Sequence, residues 1–125
     1  MTLPEAVRDD ESAPFFDGTA RDELMVKRCD ACGHHVRGIT MVCTACHGPD
    51  LTWVVASGSA SLVTWTVVHG RDAPTVAAVV ELDEGPWLHA RLVDVDPGAL
   101  RVGTRLAVEF VDAGEERVPV FRLQA

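Results

Sequence analysis

Positive charge is scarce in this sequence. Its 125 residues include 11 Lys and Arg against 19 Asp and Glu, which gives a formal net charge of −8. Affinity for phosphate backbones comes mainly from Lys and Arg, so this balance argues against nucleic acid as a partner. Lys27, Arg28 and Arg37 nevertheless lie close to the cysteines, and a local basic patch there stays open.

Long apolar runs are also missing. The longest, around Val76 to Val80, is far too short to span a bilayer. The first residues, MTLPEAVRDDESAP, carry neither the basic start nor the apolar segment of a secretory signal peptide. We therefore expect a soluble, cytoplasmic protein with no membrane partner. In a reducing cytosol, cysteines are metal ligands more often than disulfides.

Catalytic motifs are a third absence. The sequence contains no G-x-S-x-G nucleophile elbow and no glycine-rich phosphate loop. His69 or His89 could serve a small thioester hydrolase, but isolated histidines at strand ends are mostly structural or exposed to solvent. We predict that the chain has no catalytic residue and rank the hydrolase last among the alternatives.

Four cysteines form the strongest motif. Two C-x-x-C pairs lie about ten residues apart, the spacing of a zinc ribbon. Each C-x-x-C turn, or knuckle, aims two thiolates at one point, and tetrahedral zinc takes four sulfurs at about 2.3 Å. The spacing predicts one structural zinc ion bound by Cys29, Cys32, Cys43 and Cys46.

A closed four-thiolate site leaves no coordination position for catalysis, whereas iron on the same four sulfurs remains an alternative. Gly33 and Gly48 follow the knuckles, and we expect both to have positive φ.

The rest of the chain predicts a mainly β fold. Ser12 is expected to cap a short helix with Pro14 in its first turn, after a mobile arm over residues 1–11. Short strands are predicted at 23–28 and 34–40, and further strands at 51–56, 59–69, 75–82, 87–95, 105–113 and 118–123.

Five strands after residue 58 indicate an OB-type barrel, with one helical turn within 96–103. Three domains follow from these patterns: an N-terminal arm and short helix (1–22), a zinc ribbon (23–55) and the barrel (56–125). Trp53, Trp65 and Trp87 lie on strands and are expected in the core.

Several segments together resemble a known family. They are a PFF-x-G helix start, KRCDACG…CTAC, TWTVVH, PTVAAVVELDEG and VDVDPGALRVGTRLAVEF. This order is similar to the zinc-ribbon plus OB-fold accessory proteins of acyl-CoA metabolism, long catalogued as a domain of unknown function. The resemblance covers about Ser12 to Leu123, and D-P-x-x-L-x-x-G at 96–103 is its most specific part. It implies an N-terminal helix, a rubredoxin-like ribbon and a C-terminal OB barrel.

The resemblance also implies a function. Such proteins assemble with thiolase-like enzymes, including lipid-transfer-type aldolases, or with acyl-CoA hydratases. We therefore expect a non-catalytic subunit of a hetero-oligomer that helps hold or channel acyl-CoA in lipid or steroid side-chain breakdown. Phe15 and Phe16 are the expected partner interface, together with the apolar strand 76–80. The expected CoA-binding cations are Lys27, Arg28, Arg37 and Arg71.

Two other functions remain open from the sequence. The first is an accessory role with a hydratase instead of a thiolase-superfamily enzyme. The second is binding of single-stranded nucleic acid, for which both OB folds and zinc ribbons are used. That use requires aromatic residues interleaved with Lys and Arg on the barrel face, and the strands carry few of them.

Overall fold

The first part of the fold is a helix followed by a small antiparallel sheet. The computed structural model describes residues 5–70 and 73–124. Helix α1 (Ala13–Thr19) leads into β1 (Leu24–Cys29), β2 (His35–Val36) and β3 (Leu51–Ala56). These strands pair in the order β2-β1-β3, so β1 lies at the centre of the ribbon sheet. In the part of the chain that the structure describes, no helix is long and apolar enough to cross a membrane.

The remaining strands close into a barrel. They are β4 (Ser59–Val68), β5 (Thr75–Leu82), β6 (Trp87–Leu92), β7 (Arg105–Ala113) and β8 (Glu116–Leu123). The order around the barrel is β4-β5-β6-β8-β7. β6 and β8 run parallel and pair at Leu92 and Phe121, whereas the other pairs are antiparallel. The predicted mainly β fold with a five-stranded OB-type barrel is confirmed.

A single core joins the ribbon sheet to the barrel. Leu24 and Val26 of β1 are buried in one cluster with barrel residues such as Leu62 and Phe121. Between them Met25 is also buried, and its side chain lies against Gly18 at the end of α1. The start of β1 is therefore covered on both faces, which explains why it lacks the polar–apolar alternation of a half-exposed strand.

The N-terminal segment is docked on the barrel, contrary to the prediction of a mobile arm. The Ala6 N–H donates to the Ala113 carbonyl at 2.9 Å. Arg8 forms ion pairs with Glu116 of β8 and, at 2.7 Å, with Asp17 of α1. Residues 5–11, which we call the N-terminal strap, thus tie α1 to the β7–β8 hairpin. Residues 1–4 lie outside the described part of the chain.

The predicted helix cap at Ser12 is wrong in its chemistry. Ser12 precedes α1, but its hydroxyl makes no capping bond to a helix N–H. It accepts instead from the Asp9 N–H at 2.9 Å, while the Asp9 carboxylate accepts from the Ser12 N–H at 2.8 Å. The Asp9 N–H therefore takes up the Ser12 hydroxyl oxygen that would otherwise cap the helix.

Two strands end three or more residues earlier than predicted. The strand expected over 34–40 stops at Val36, because a turn follows in which the Thr40 N–H bonds to the Arg37 carbonyl at 3.0 Å. β6 stops at Leu92 rather than residue 95, and Asp94 just beyond has a φ of 54°. By contrast, β3, β5 and β7 have the predicted bounds, and the 3-10 turn Pro97–Ala99 lies within 96–103.

The tryptophans do not share one environment. Trp53 and Trp65 are half-buried, and Trp65 packs against the core. Trp87, however, is 52% exposed at the start of β6, where its indole N–H donates to Glu81 at 2.7 Å. The expectation of a core position is wrong for Trp87. Its ring lies on the outer face of the β5–β6 hairpin, where no other element of the described chain covers it.

Candidate metal centre and adjoining cleft

The four cysteines converge at the tip of the ribbon sheet. All four sulfurs lie within 4.8 Å of one another. Two of the sulfur pairs join one knuckle to the other, Cys29 to Cys46 and Cys32 to Cys43, both at 3.6 Å. Cys29 and Cys43 are buried, whereas Cys32 and Cys46 are exposed. One sulfur of each knuckle is therefore fixed by packing, and the other lies at the surface.

This geometry fits zinc. A tetrahedron with metal–sulfur bonds of about 2.3 Å has sulfur–sulfur edges of about 3.8 Å, within the span of the observed distances. The cluster contains four thiol donors and no oxygen donor, the set that suits a structural zinc site. The predicted ligand set therefore fits one tetrahedral zinc ion.

Backbone N–H groups set the acidity of the thiols. The Cys46 and Ala45 N–H groups lower the pKa of the Cys43 thiol to about 6, against the cost of burial. The Gly48 N–H likewise favours the Cys46 thiolate. The neighbouring Cys29 and Cys32 sulfurs outweigh it, however, and raise the pKa of Cys46 to about 12. A zinc ion would deprotonate all four groups, and the lowered pKa of Cys43 favours this at that thiol.

The two knuckles have the same backbone geometry. The Gly33 N–H donates to the Cys29 carbonyl and the His47 N–H to the Cys43 carbonyl, both at 2.9 Å. φ is 80° at Gly33 and 64° at His47. The prediction of positive φ is thus confirmed for Gly33 and wrong for Gly48. The residue directly after the second cysteine of the pair takes this conformation, and in the second knuckle that residue is His47.

Gly48 has a different requirement, which is space. A Cβ atom there would lie 3.3 Å from the Cys46 sulfur and 3.7 Å from the Cys29 sulfur. A larger residue at this position would therefore press on the metal ligands.

A cleft of about 450 Å³ adjoins the ribbon sheet and α1, and we call it the ribbon cleft. Its apolar lining comes from α1, the loop after β2, β3 and β6. The members are Phe15, Phe16, Ile39, Met41, Trp53 and Leu88. Its polar lining comprises the basic or neutral side chains of Lys27, Arg37, His89 and Ser12 and the carboxylates of Asp9 and Glu11. A second hollow, also of about 450 Å³, shares Arg37, Leu88 and His89 with the ribbon cleft and adds His34 and His35.

The predicted basic residues fall into different positions. Arg37 is exposed and lines both hollows. Lys27 lines the ribbon cleft, but its ammonium donates to the Thr40 carbonyl at 3.0 Å and lies 5.0 Å from the centroid of the Trp53 ring. Arg28 lies beside Gly33 and lines neither hollow. Arg71 lies outside the described residues.

The predicted aromatic interface is only partly available. Phe15 and Phe16 pack edge to face with ring centroids 5.4 Å apart, and both line the ribbon cleft. Both rings are half-buried, and Phe15 packs against the hydrophobic core. In the apolar strand 76–80, Val76, Ala78 and Val80 are buried in the barrel. That strand therefore fills the barrel core and offers little surface to a partner.

The histidines proposed for hydrolysis lie at the surface. His69 is exposed beyond β4, and His89 is exposed on β6. Within residues 5–70 and 73–124, no histidine side chain hydrogen-bonds to a serine, threonine or cysteine side chain. His89 lines both hollows, which no sequence pattern indicates, because its position there depends on how β6 meets the ribbon.

Comparison with known proteins matches both halves of the chain to one family. Residues 16–52 match the rubredoxin-like zinc ribbon domain of ChsH2, and residues 53–111 match the C-terminal OB-fold domain of ChsH2. The two matches follow each other without a gap and cover the second half of α1, the ribbon sheet and most of the barrel.

Individual relatives are more distant. A probable enoyl-CoA hydratase alpha subunit of Thermomonospora curvata is 28% identical over 95% of this chain. The 3-oxo-4,17-pregnadiene-20-carboxyl-CoA hydratase alpha subunit of Mycobacterium tuberculosis is 29% identical over 90% of it. The chain spans only 39% and 37% of the length of these two relatives. A DUF35 domain-containing scaffold protein of Pyrococcus furiosus is 31% identical over 63% of this chain and 61% of its own length.

A solved structure is similar over nearly its whole length. It is a chain of the Ltp2–ChsH2(DUF35) aldolase, with a TM-score of 0.81 and 27% identity. The similarity covers 95% of this chain and 98% of the other. The sulfur cluster, the barrel topology and both domain matches agree, and the chain belongs to the ChsH2/DUF35 family of zinc-ribbon plus OB-fold proteins.

Proposed function

We propose that this chain is a non-catalytic accessory subunit of a thiolase-superfamily enzyme, a thiolase or a lipid-transfer-type aldolase, and helps hold its acyl-CoA substrate. The observation that carries the proposal is the near full-length similarity to a chain of the Ltp2–ChsH2(DUF35) aldolase. That similarity extends over both the ribbon and the barrel, so it includes the elements that form the ribbon cleft.

The lining of the ribbon cleft supports a thioester ligand. CoA has phosphates at one end and a long, mostly apolar arm at the other, so its site needs a cation beside an apolar channel. Phe15, Phe16 and Trp53 supply aromatic walls, and Arg37 lies where the two hollows meet. In this proposal Arg37 faces the phosphates and the aromatic walls contact the pantetheine arm.

The other basic residues have weaker claims. Lys27 already donates to the Thr40 carbonyl, so we assign it to holding the loop rather than the ligand. Arg28 lines neither hollow. Arg71 remains a predicted CoA-binding residue. The three domains with boundaries after residues 22 and 55 likewise remain a prediction.

The non-catalytic role rests on the chemistry of the metal site. Four thiolates fill the coordination sphere of zinc, so the ion would supply folding free energy to the ribbon and no Lewis-acid position for substrate. We expect the purified chain alone to leave acyl-CoA thioesters intact, and the chemistry to reside in the partner.

An acyl-CoA hydratase is the second candidate partner. The names of two relatives favour it, since both are hydratase alpha subunits, and the M. tuberculosis relative is named for a steroid thioester. Degradation of a steroid side chain is accordingly the process we propose first for either partner.

The test is to purify the chain with its enzyme partner and measure steady-state kinetics with acyl-CoA. Arg37→Glu should raise KM by roughly tenfold, the equivalent of one charge-assisted hydrogen bond, when the chain is present at concentrations high enough to keep the complex assembled. Arg122→Glu on β8 is the matched control and should leave KM unchanged, because Arg122 is exposed and lines neither hollow. The proposal fails if the chain is a monomer in its native extract and no acyl-CoA enzyme co-purifies.

A further inference from the structure

The loop after β2 exposes apolar side chains at its surface. Ile39 is 78% exposed, Met41 62% and Val42 45%, so three large apolar residues within four positions face solvent. We call residues 37–42 the ribbon loop. Exposed apolar residues are ordinary when they are scattered singly, but a contiguous group indicates an interaction surface.

The backbone of the ribbon loop is held in place. The Lys27 ammonium donates to the Thr40 carbonyl, and the Thr40 N–H donates to the Arg37 carbonyl, both at 3.0 Å. Gly38 lies flat against Trp53, where a Cβ atom would be 2.6 Å from the ring. The loop backbone is therefore already fixed, and less conformational entropy is lost when its side chains bind a partner.

The charge around the loop differs from that of the whole chain. No acidic residue occurs between Ala31 and Pro49, although the chain carries 19 Asp and Glu and a net charge of −8. The same stretch contains Arg37 and three histidines. Asp9 and Glu11 line the ribbon cleft beside the loop, but the loop segment itself carries no carboxylate and is complementary to an apolar depression with an acidic rim.

The position of the loop identifies the occupant. Ile39 and Met41 also line the ribbon cleft opposite Phe15 and Phe16. A protein that covers the loop would close the mouth of that cleft and enclose a ligand bound there. The partner that must meet the ligand is the enzyme subunit that acts on it.

We infer that the ribbon loop is the surface by which this chain docks on its acyl-CoA enzyme subunit, through an apolar depression with an acidic rim on that enzyme. The inference rests on the proposed function. It replaces the expectation that Phe15, Phe16 and strand 76–80 form the interface, since those residues contribute largely to this chain's own core and cleft.

The experiment measures affinity between purified chain and the acyl-CoA enzyme that co-purifies with it, identified by mass spectrometry. The double variant Ile39→Ser with Met41→Ser should raise Kd at least about tenfold. Truncation of apolar side chains that anchor an interface typically weakens binding by this much or more. The matched control is Val68→Ser with Val102→Ser, which removes two apolar side chains 52% and 75% exposed on the barrel. Zinc content and melting temperature should stay unchanged in both.

A second variant tests the shape of the loop without removing its apolar groups. Gly38→Ala must displace Trp53 or the loop and should also weaken binding. Gly98→Ala is its control, because a Cβ there makes only an ordinary 3.5 Å contact with Asp96.

The outcomes separate this inference from the function on which it rests. If an acyl-CoA enzyme co-purifies with the wild type and binds the Ile39→Ser, Met41→Ser variant equally well, the docking surface is refuted and the function stands. If the wild type self-associates in ultracentrifugation and the double variant does not, the loop joins two copies of this chain, and the inference is wrong. If no acyl-CoA enzyme co-purifies, both proposals fall.

Discussion

Gly33 and His47 occupy the same backbone position in the two knuckles. Each donates its N–H to the carbonyl of the first cysteine of its pair, and each has positive φ. Only one of them is a glycine, so the strain of this position is present in the second knuckle and absent from the first.

This asymmetry predicts opposite effects of exchanging the residues. Gly33→Ala should destabilise the zinc-bound protein by about 1–2 kcal/mol, the cost of a side chain in the left-handed region. His47→Gly should be neutral or stabilising by up to about 1 kcal/mol. Urea unfolding measures both, with Gly70→Ala as control, because a Cβ there meets nothing within 4 Å. Equal destabilisation by all three changes would contradict the assignment.

Removal of one buried sulfur should release the metal. Cys43→Ser leaves three thiolates and takes away the thiol whose pKa is lowered to about 6, so zinc affinity should fall by orders of magnitude. Metal analysis of freshly purified protein should give one zinc per chain for the wild type and for Thr44→Ala, an exposed neighbour. Folded protein that contains no metal, or iron in its place, would contradict the prediction.

The N-terminal strap should respond to pH through its carboxylates. Arg8 lowers the pKa of Glu116, and the Ser12 N–H lowers that of Asp9. A depressed carboxyl pKa contributes stability above its unfolded value, and this contribution is lost as pH falls through the folded value. The protection factor for hydrogen exchange at the Ala6 amide, which bonds to the Ala113 carbonyl, should therefore fall on acidification below about pH 4.

The same exchange should accelerate at neutral pH in Arg8→Met, which removes both ion pairs of the strap. Arg105→Met removes an ion pair with Asp83 on the barrel and should leave the Ala6 amide protected. If Ala6 exchanges at the same rate in all three proteins, the strap is not held by these charges.

Single-stranded DNA should not bind. The net charge is −8, and Arg8, Arg105 and Arg117 are already paired with carboxylates. Fluorescence anisotropy with a labelled oligonucleotide at moderate salt should show no binding. Salt-sensitive binding below micromolar concentrations would instead favour the nucleic-acid alternative.

Local patterns in the sequence predicted much of the fold. The C-x-x-C pairs predict a knuckle each because two thiolates at that spacing need only one turn to converge. Turn residues delimit β5 and β7, whose bounds were predicted correctly. The OB-type order followed from strand number and family resemblance, since nothing in one strand shows which other strand it will pair with.

Features that depend on contacts between distant elements were not predictable in this way. Lys27 and Arg28 are neighbours in the sequence, yet successive side chains of a strand point to opposite faces, and only Lys27 lines the ribbon cleft. Docking of the N-terminal strap depends on Glu116, more than a hundred residues away. The turn that ends β2 places Gly38 against Trp53, which belongs to another strand.

Strand β1 also limits how this protein can be rearranged. Its first residues, Leu24 and Val26, complete the barrel interior, and three positions later Cys29 is a metal ligand. A barrel transplanted without the ribbon would carry a void in its centre, and truncation of one buried leucine to alanine typically destabilises a protein by about 2–5 kcal/mol. The ribbon is therefore not an exchangeable appendage. Recombination between relatives should preserve both modules together, and a chelator that empties the metal site should loosen the barrel as well.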